Sequence, residues 1–141
     1  MLKKNHKGRL KNIYNSSQTL IRKKYALIAA EEGRVTKSEI YAFELAIKRI
    51  IKGSKGEKAY LRIHPHLNLT KKSLGVRMGK GKGSIYTKFT RVRPGTVLIE
   101  WVNKNQNPFK IWTILNSKIS VRTHLVVPNL KNHKKVISIK N

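Results

Sequence analysis

The chain has 141 residues, 32 of them lysine or arginine and six of them acidic, for a formal net charge of +26; that length suits one domain with tails, and that charge demands a polyanionic partner. It contains no cysteine, which excludes disulfides, zinc knuckles and thiol catalysis, and no aspartate, the usual partner of a Ser–His pair and the usual magnesium ligand. No apolar run approaches the roughly 18 residues of a membrane-spanning helix, so nucleic acid, not a membrane, is the expected partner.

The N-terminus, Met1-Leu-Lys-Lys-Asn-His6, has neither the apolar stretch of a secretory signal nor a long amphipathic leader. The protein is expected to be made where it works. Residues 1–19 carry Lys3, Lys4, Lys7, Arg9 and Lys11 without sustained periodicity, which fits a basic arm that orders along phosphates. Residues 20–127 form the expected globular domain, beginning with a buried strand at Tyr25–Ala30.

Thr36-Lys-Ser-Glu39 is a capping box. It predicts a helix to about Lys52, with Ile40, Phe43, Ile47, Ile50 and Ile51 as one apolar stripe. Gly53–Gly56 ends it. Ala59–Pro65 alternates as a strand, with Ala59, Leu61 and Ile63 on one face and Tyr60, Arg62 and His64 on the other, where an aromatic ring and two potential cations suit RNA as well as they suit a packed ring beside a solvated arginine. Residues 66–84 show no periodicity and read as one long functional loop.

That loop holds Gly75-Val-Arg-Met-Gly-Lys-Gly-Lys-Gly-Ser84, which offers nothing to a core and whose glycines make it costly to order. A strand at Ile85–Val92, a Pro94-Gly95 type II turn and a strand at Thr96–Val102 read as a hairpin, with Val97, Ile99 and Trp101 on one face. Asn107-Pro108 is an N-cap with Pro at the first helical position, for a short helix to about Asn116 packing through Ile111, Trp112 and Leu115. A last strand, Lys118–Val127, sets Ile119, Val121, Thr123 and Leu125 against Arg122 and His124. Residues 128–141 read as a basic surface extension.

The glycine loop is not a nucleotide cradle. Gly79-Lys-Gly-Lys-Gly83 lacks the P-loop gap and order, misses the dinucleotide spacing, and precedes a strand where a phosphate loop precedes a helix. The five histidines are scattered, and no carboxylate accompanies His64 and His66, so neither a metal pair nor a hydrolytic site is expected and no cofactor is called for. Glycine instead lets main-chain amides approach phosphate while Arg77, Lys80 and Lys82 add charge-assisted contacts.

Val76-Arg-Met-Gly-Lys-Gly-Lys-Gly-Ser84, followed by Lys88, resembles the signature of the bacterial-type large-ribosomal-subunit protein sixteen family. The resemblance covers about residues 4–127. It includes His6-Lys-Gly-Arg9, Gly33-Arg-Val-Thr36, Lys58–Pro65, Arg93–Glu100 and Lys118–Thr123, with Tyr60 and His64 standing where the family has Trp and Phe. It implies an α+β, hammerhead-like fold, with two helices on a mixed, mainly antiparallel sheet. It further implies a non-enzymatic structural role: binding large-subunit rRNA beside neighbouring ribosomal proteins and helping to position aminoacyl-site tRNA near the peptidyl transferase centre. The candidate rRNA-binding residues are His6, Lys7, Arg9, Lys11, Arg34, Arg62, His64 and Lys88. The loop near rRNA and tRNA comprises Arg77, Met78, Gly79, Lys80, Gly81, Lys82 and Gly83. A free-standing basic nucleic-acid regulator or RNA chaperone is the alternative. The missing leader, the Lys-, Asn- and Ile-rich composition and the eroded motifs point to a mitochondrial member, ahead of a plastid or bacterial one.

Overall fold

Thr36 and Glu39 close the predicted box: the Glu39 amide donates to Thr36 Oγ1 at 3.4 Å, and the Thr36 amide donates to Glu39 Oε2 at 2.7 Å. Helix α1 (Lys37–Ile51) follows directly and buries Ile40, Phe43 and Ile47. A second cap, Asn107 Oδ1 accepting from the Phe109 amide at 3.0 Å, starts helix α2 (Pro108–Asn116), which buries Ile111, Trp112 and Leu115. This computed structural model describes residues 3–6, 25–52, 58–79, 81–102, 107–127 and 135–137.

In chain order the strands are β1 (Tyr25–Ala29), β2 (Gly33–Thr36), β3 (Ala59–Leu61), β4 (Leu67–Lys71), β5 (Ser84–Val92), β6 (Val97–Trp101), β7 (Thr123–Val127) and β8 (Lys135–Ile137). They form a five-stranded sheet in the order β3-β6-β1-β7-β8 and a three-stranded sheet in the order β2-β5-β4. Every pairing is antiparallel. Two helices packed on antiparallel sheets make the expected α+β fold, with the strands divided between two sheets.

The core lies where the helices meet both sheets. Phe43 and Ile47 of α1 and Trp112 and Leu115 of α2 pack with Leu27, Ile99, Trp101 and Leu125 of the larger sheet and with Val35 and Val92 of the smaller one. Fully burying one such side chain contributes about 1.5–3 kcal/mol relative to leaving it in water. Trp112 Nε1 donates to Thr123 Oγ1 at 2.9 Å, and that hydroxyl donates to Asn116 Oδ1 at 2.9 Å, so the polar tip of a buried indole is satisfied while α2 is fixed to β7. A smaller cluster of Ala26, Val97, Val126 and Ile28 completes the packing.

Five expectations need correction. The turn at Arg93–Thr96 forms, with the Thr96 amide on the Arg93 carbonyl at 3.0 Å and Gly95 at φ 83°, but β5 and β6 do not pair and enter different sheets. A type II turn mismatches the twist of a hairpin and splays its strands. Here Gly95 donates to the Ala29 carbonyl at 2.8 Å and Ala29 donates to that of Thr96 at 2.9 Å, which pins the turn to the end of β1. Second, the long loop is interrupted by β4, a half-exposed edge strand whose side chains carry too weak an alternation to announce it.

Third, the strand expected over Ala59–Pro65 is paired as β3 only to Leu61; Arg62 adds one further bond to the Leu98 carbonyl at 3.0 Å, and Pro65 has no N–H to continue the ladder. Fourth, β7 begins at Thr123 rather than Lys118. Ile119 and Val121 are buried as expected, but this stretch leaves α2 through a turn and packs Val121 onto Gly33, where an added Cβ would lie 2.3 Å from Val121 Cγ2. Fifth, the whole of β6 is buried, not one face, because it lies inside the larger sheet. Within the C-terminal extension, Lys135–Ile137 pairs with β7 as an edge strand.

Candidate nucleic-acid interface

The glycine-rich segment closes the β4–β5 hairpin at its tip, between Lys71 and Ser84. Gly75, Gly79 and Gly81 have φ values of 79°, 104° and 78°, a left-handed backbone that glycine adopts without strain, and a Cβ at any of them would meet open space. Gly83 serves differently. A Cβ there would sit 2.4 Å from the Lys71 carbonyl oxygen, so its missing side chain lets the two backbones close at the base of the loop.

What the loop exposes is mixed in character. Leu74 and Met78 are 97% and 96% exposed, Val76 and Tyr86 are also open, and Arg77 stands between them. Lys72 Nζ donates to the Gly79 carbonyl at 2.9 Å, bracing the loop across its width. Lys71 lies 5.4 Å from the centroid of the Tyr86 ring, a cation–π contact on the outer side of the hairpin.

The N-terminal residues 3–6 lie along this hairpin. Asn68 donates to the Lys3 carbonyl at 2.8 Å, Lys82 to those of Lys4 and Asn5 at 3.0 and 2.8 Å, and Arg91 to that of His6 at 3.0 Å. Lys3, Lys4 and His6 remain exposed. The fold thereby brings basic residues from the chain's start onto the hairpin that carries Arg77 and Lys88, and exposed positive charge of this kind attracts a polyanion.

The other predicted residues divide. Lys88 is exposed opposite Asn68, as an RNA contact requires. Arg34 faces Arg91 directly across the β2–β5 ladder, two like charges at paired positions, with the Nε atoms of both buried. Arg62 is turned inward to the carboxylate of Glu100, 3.2 Å away, and His64 is exposed with its carbonyl 3.1 Å from His66 Nδ1. Lys7, Arg9, Lys11 and Lys80 lie outside the described residues. Sequence reasoning missed Asn68 and Arg91, since nothing in the sequence marks either as a holder of the N-terminal segment.

A family model described as Ribosomal protein L16p/L10e matches residues 1–126. The chain belongs to this family. Three curated relatives called large ribosomal subunit protein uL16 illustrate the match. The chain is 40% identical to that of Dichelobacter nodosus over 98 residues, 70% of each chain. It is 35% identical to that of Rhodopseudomonas palustris strain HaA2 over 125 residues, covering 88% of this chain and 90% of the relative. Against Leptospira biflexa the identity is 34% over 129 residues, 91% and 93% of the two chains. Membership makes this a structural ribosomal component, and these three relatives are bacterial. The glycine-rich hairpin and the docked N-terminal residues both fall inside the matched span.

Proposed function

We propose that this protein is a structural constituent of the large ribosomal subunit that binds large-subunit rRNA and helps to position aminoacyl-site tRNA near the peptidyl transferase centre. The observation that carries this reading is the hairpin tip: a basic, glycine-rich loop with open space around Gly75, Gly79 and Gly81, closing two paired strands and flanked by the basic N-terminal segment. Glycines let backbone amides reach phosphate, exposed Arg77 offers a bidentate cation, and Met78 and Leu74 can lie against base or ribose faces. The chemistry of peptide transfer would belong to the RNA, with the protein fixing the RNA's shape. The names of the relatives support a place on the large subunit. Its Lys-, Asn- and Ile-rich composition favours the mitochondrial ribosome over a plastid or bacterial one.

Sedimentation of particles washed in high salt tests the reading. The protein is expected to stay with the large subunit, and cross-linking from residue 77 should label rRNA or tRNA. Recovery of the protein at the top of the gradient, free of large subunits, would instead favour the regulator or chaperone reading.

A further inference from the structure

Residues 3–6 have no strand partner, yet their four consecutive carbonyls are all taken by side chains of one hairpin. Asn68 on β4 takes the first, Lys82 the second and third, and Arg91 on β5 the fourth. Asn68 and Arg91 stand on paired strands, so they fix the segment to the sheet. Lys82 stands in the glycine-rich stretch, two residues before β5, and its contact is returned: Lys4 Nζ donates to the Lys82 carbonyl at 3.3 Å. We propose that Lys82 is a positioning residue that couples the N-terminal segment to the glycine-rich loop, so that the two are presented to a partner as one surface.

The chemistry of the contact defines how it behaves. A lysine ammonium has three donors, and two are spent on the carbonyls of Lys4 and Asn5, leaving one for an outside acceptor. Both acceptors are neutral carbonyls, so the link is not a salt bridge and added salt does little to dissolve it. It brings two lysines together, and among the described residues no carboxylate is shown bonded to either. Lys82 is exposed and takes no part in the hydrophobic core, so removing its charge leaves the fold intact. The inference concerns contacts within the free chain and does not rest on the ribosomal reading.

The chain has no cysteine, so Lys3→Cys and Ser73→Cys, both at exposed positions, introduce two unique spin-label sites in the full-length protein. Electron–electron double resonance without RNA is expected to give one narrow distance distribution in this parent, persisting in 0.5 M salt, a concentration chosen as about three times physiological. Lys82→Met should lower the ratio of docked to undocked segment by roughly fivefold, as for the net loss of a hydrogen bond, and broaden the distribution. Lys82→Arg, which keeps cationic donors, should restore it. Tryptophan fluorescence of Trp101 and Trp112 should melt at the same temperature in all three. An unchanged narrow distribution in Lys82→Met overturns the proposal, and so does a lowered melting temperature in that variant, which would place Lys82 among residues that hold the fold.

Discussion

Arg62 Nη1 lies 3.2 Å from Oε1 of Glu100, a carboxylate on β6 with only 2% of its side chain exposed, while the arginine side chain remains 36% exposed. The pair links the residue just after β3 to β6 and accounts for the one acidic side chain among the buried residues of the described core. Arg62→Met would leave a buried negative charge alone. Fully buried pairs lose 3–5 kcal/mol on such a change, and partial exposure of Arg62 reduces the expectation to roughly 1–3 kcal/mol. Glu100→Gln, which keeps shape and removes charge, should cost less. Chemical denaturation of the two variants checks this order.

The same pair shows where sequence reasoning stops. Alternation correctly puts Arg62 on the face opposite Ile63, but alternation says nothing about what a neighbouring strand sets against it. The helices were legible because their signals are local: Thr36 with Glu39, Asn107 with Pro108, and stripes of fixed period. The separation of β5 from β6 was not, since it depends on Gly95 and Thr96 bonding to Ala29, a residue far off in sequence. The basic loop could be read from its composition. The seating of residues 3–6 could not, because side chains of the hairpin hold them by backbone carbonyls, groups that every residue possesses.

Glycines of one loop should respond in opposite ways to alanine. At Gly79 and Gly81 the space is open, so the substitution meets only the strain of a positive φ, about 1 kcal/mol, within a loop that contributes little to the fold. The melting temperature should fall by no more than about 3–5 °C. At Gly83 the new methyl group would press into the Lys71 carbonyl and the Lys72 amide, backbone atoms that cannot step aside without opening the hairpin. Gly83→Ala should therefore lower the melting temperature more than Gly79→Ala. Thermal scans of the three single variants read out the difference.

Phe43 is fully buried on α1 against residues of both sheets, so Phe43→Ala should cost about 3–5 kcal/mol through lost transfer energy and the cavity left behind. Thr36→Ala removes the helix cap at the same helix's start and should cost about 1 kcal/mol. Urea unfolding followed by the fluorescence of Trp101 and Trp112 measures both.

Arg77 makes the opposite test, of binding without stability. Its side chain is exposed at the hairpin tip, and no contact of it with the core is seen among the described residues. If the proposed interface holds the RNA through about 6–10 phosphates, affinity for an rRNA fragment should fall on the order of a thousandfold or more between about 50 and 200 mM salt. Arg77→Ala and Lys88→Ala should each lower the slope of log affinity against log salt by about one, without shifting the melting temperature. Arg62→Met supplies the contrast: its guanidinium is engaged with Glu100, so its variant should lose stability and keep the slope. A filter-binding titration of the three variants over a range of salt separates the two classes, and an unchanged slope for Arg77→Ala would remove the loop from the proposed interface.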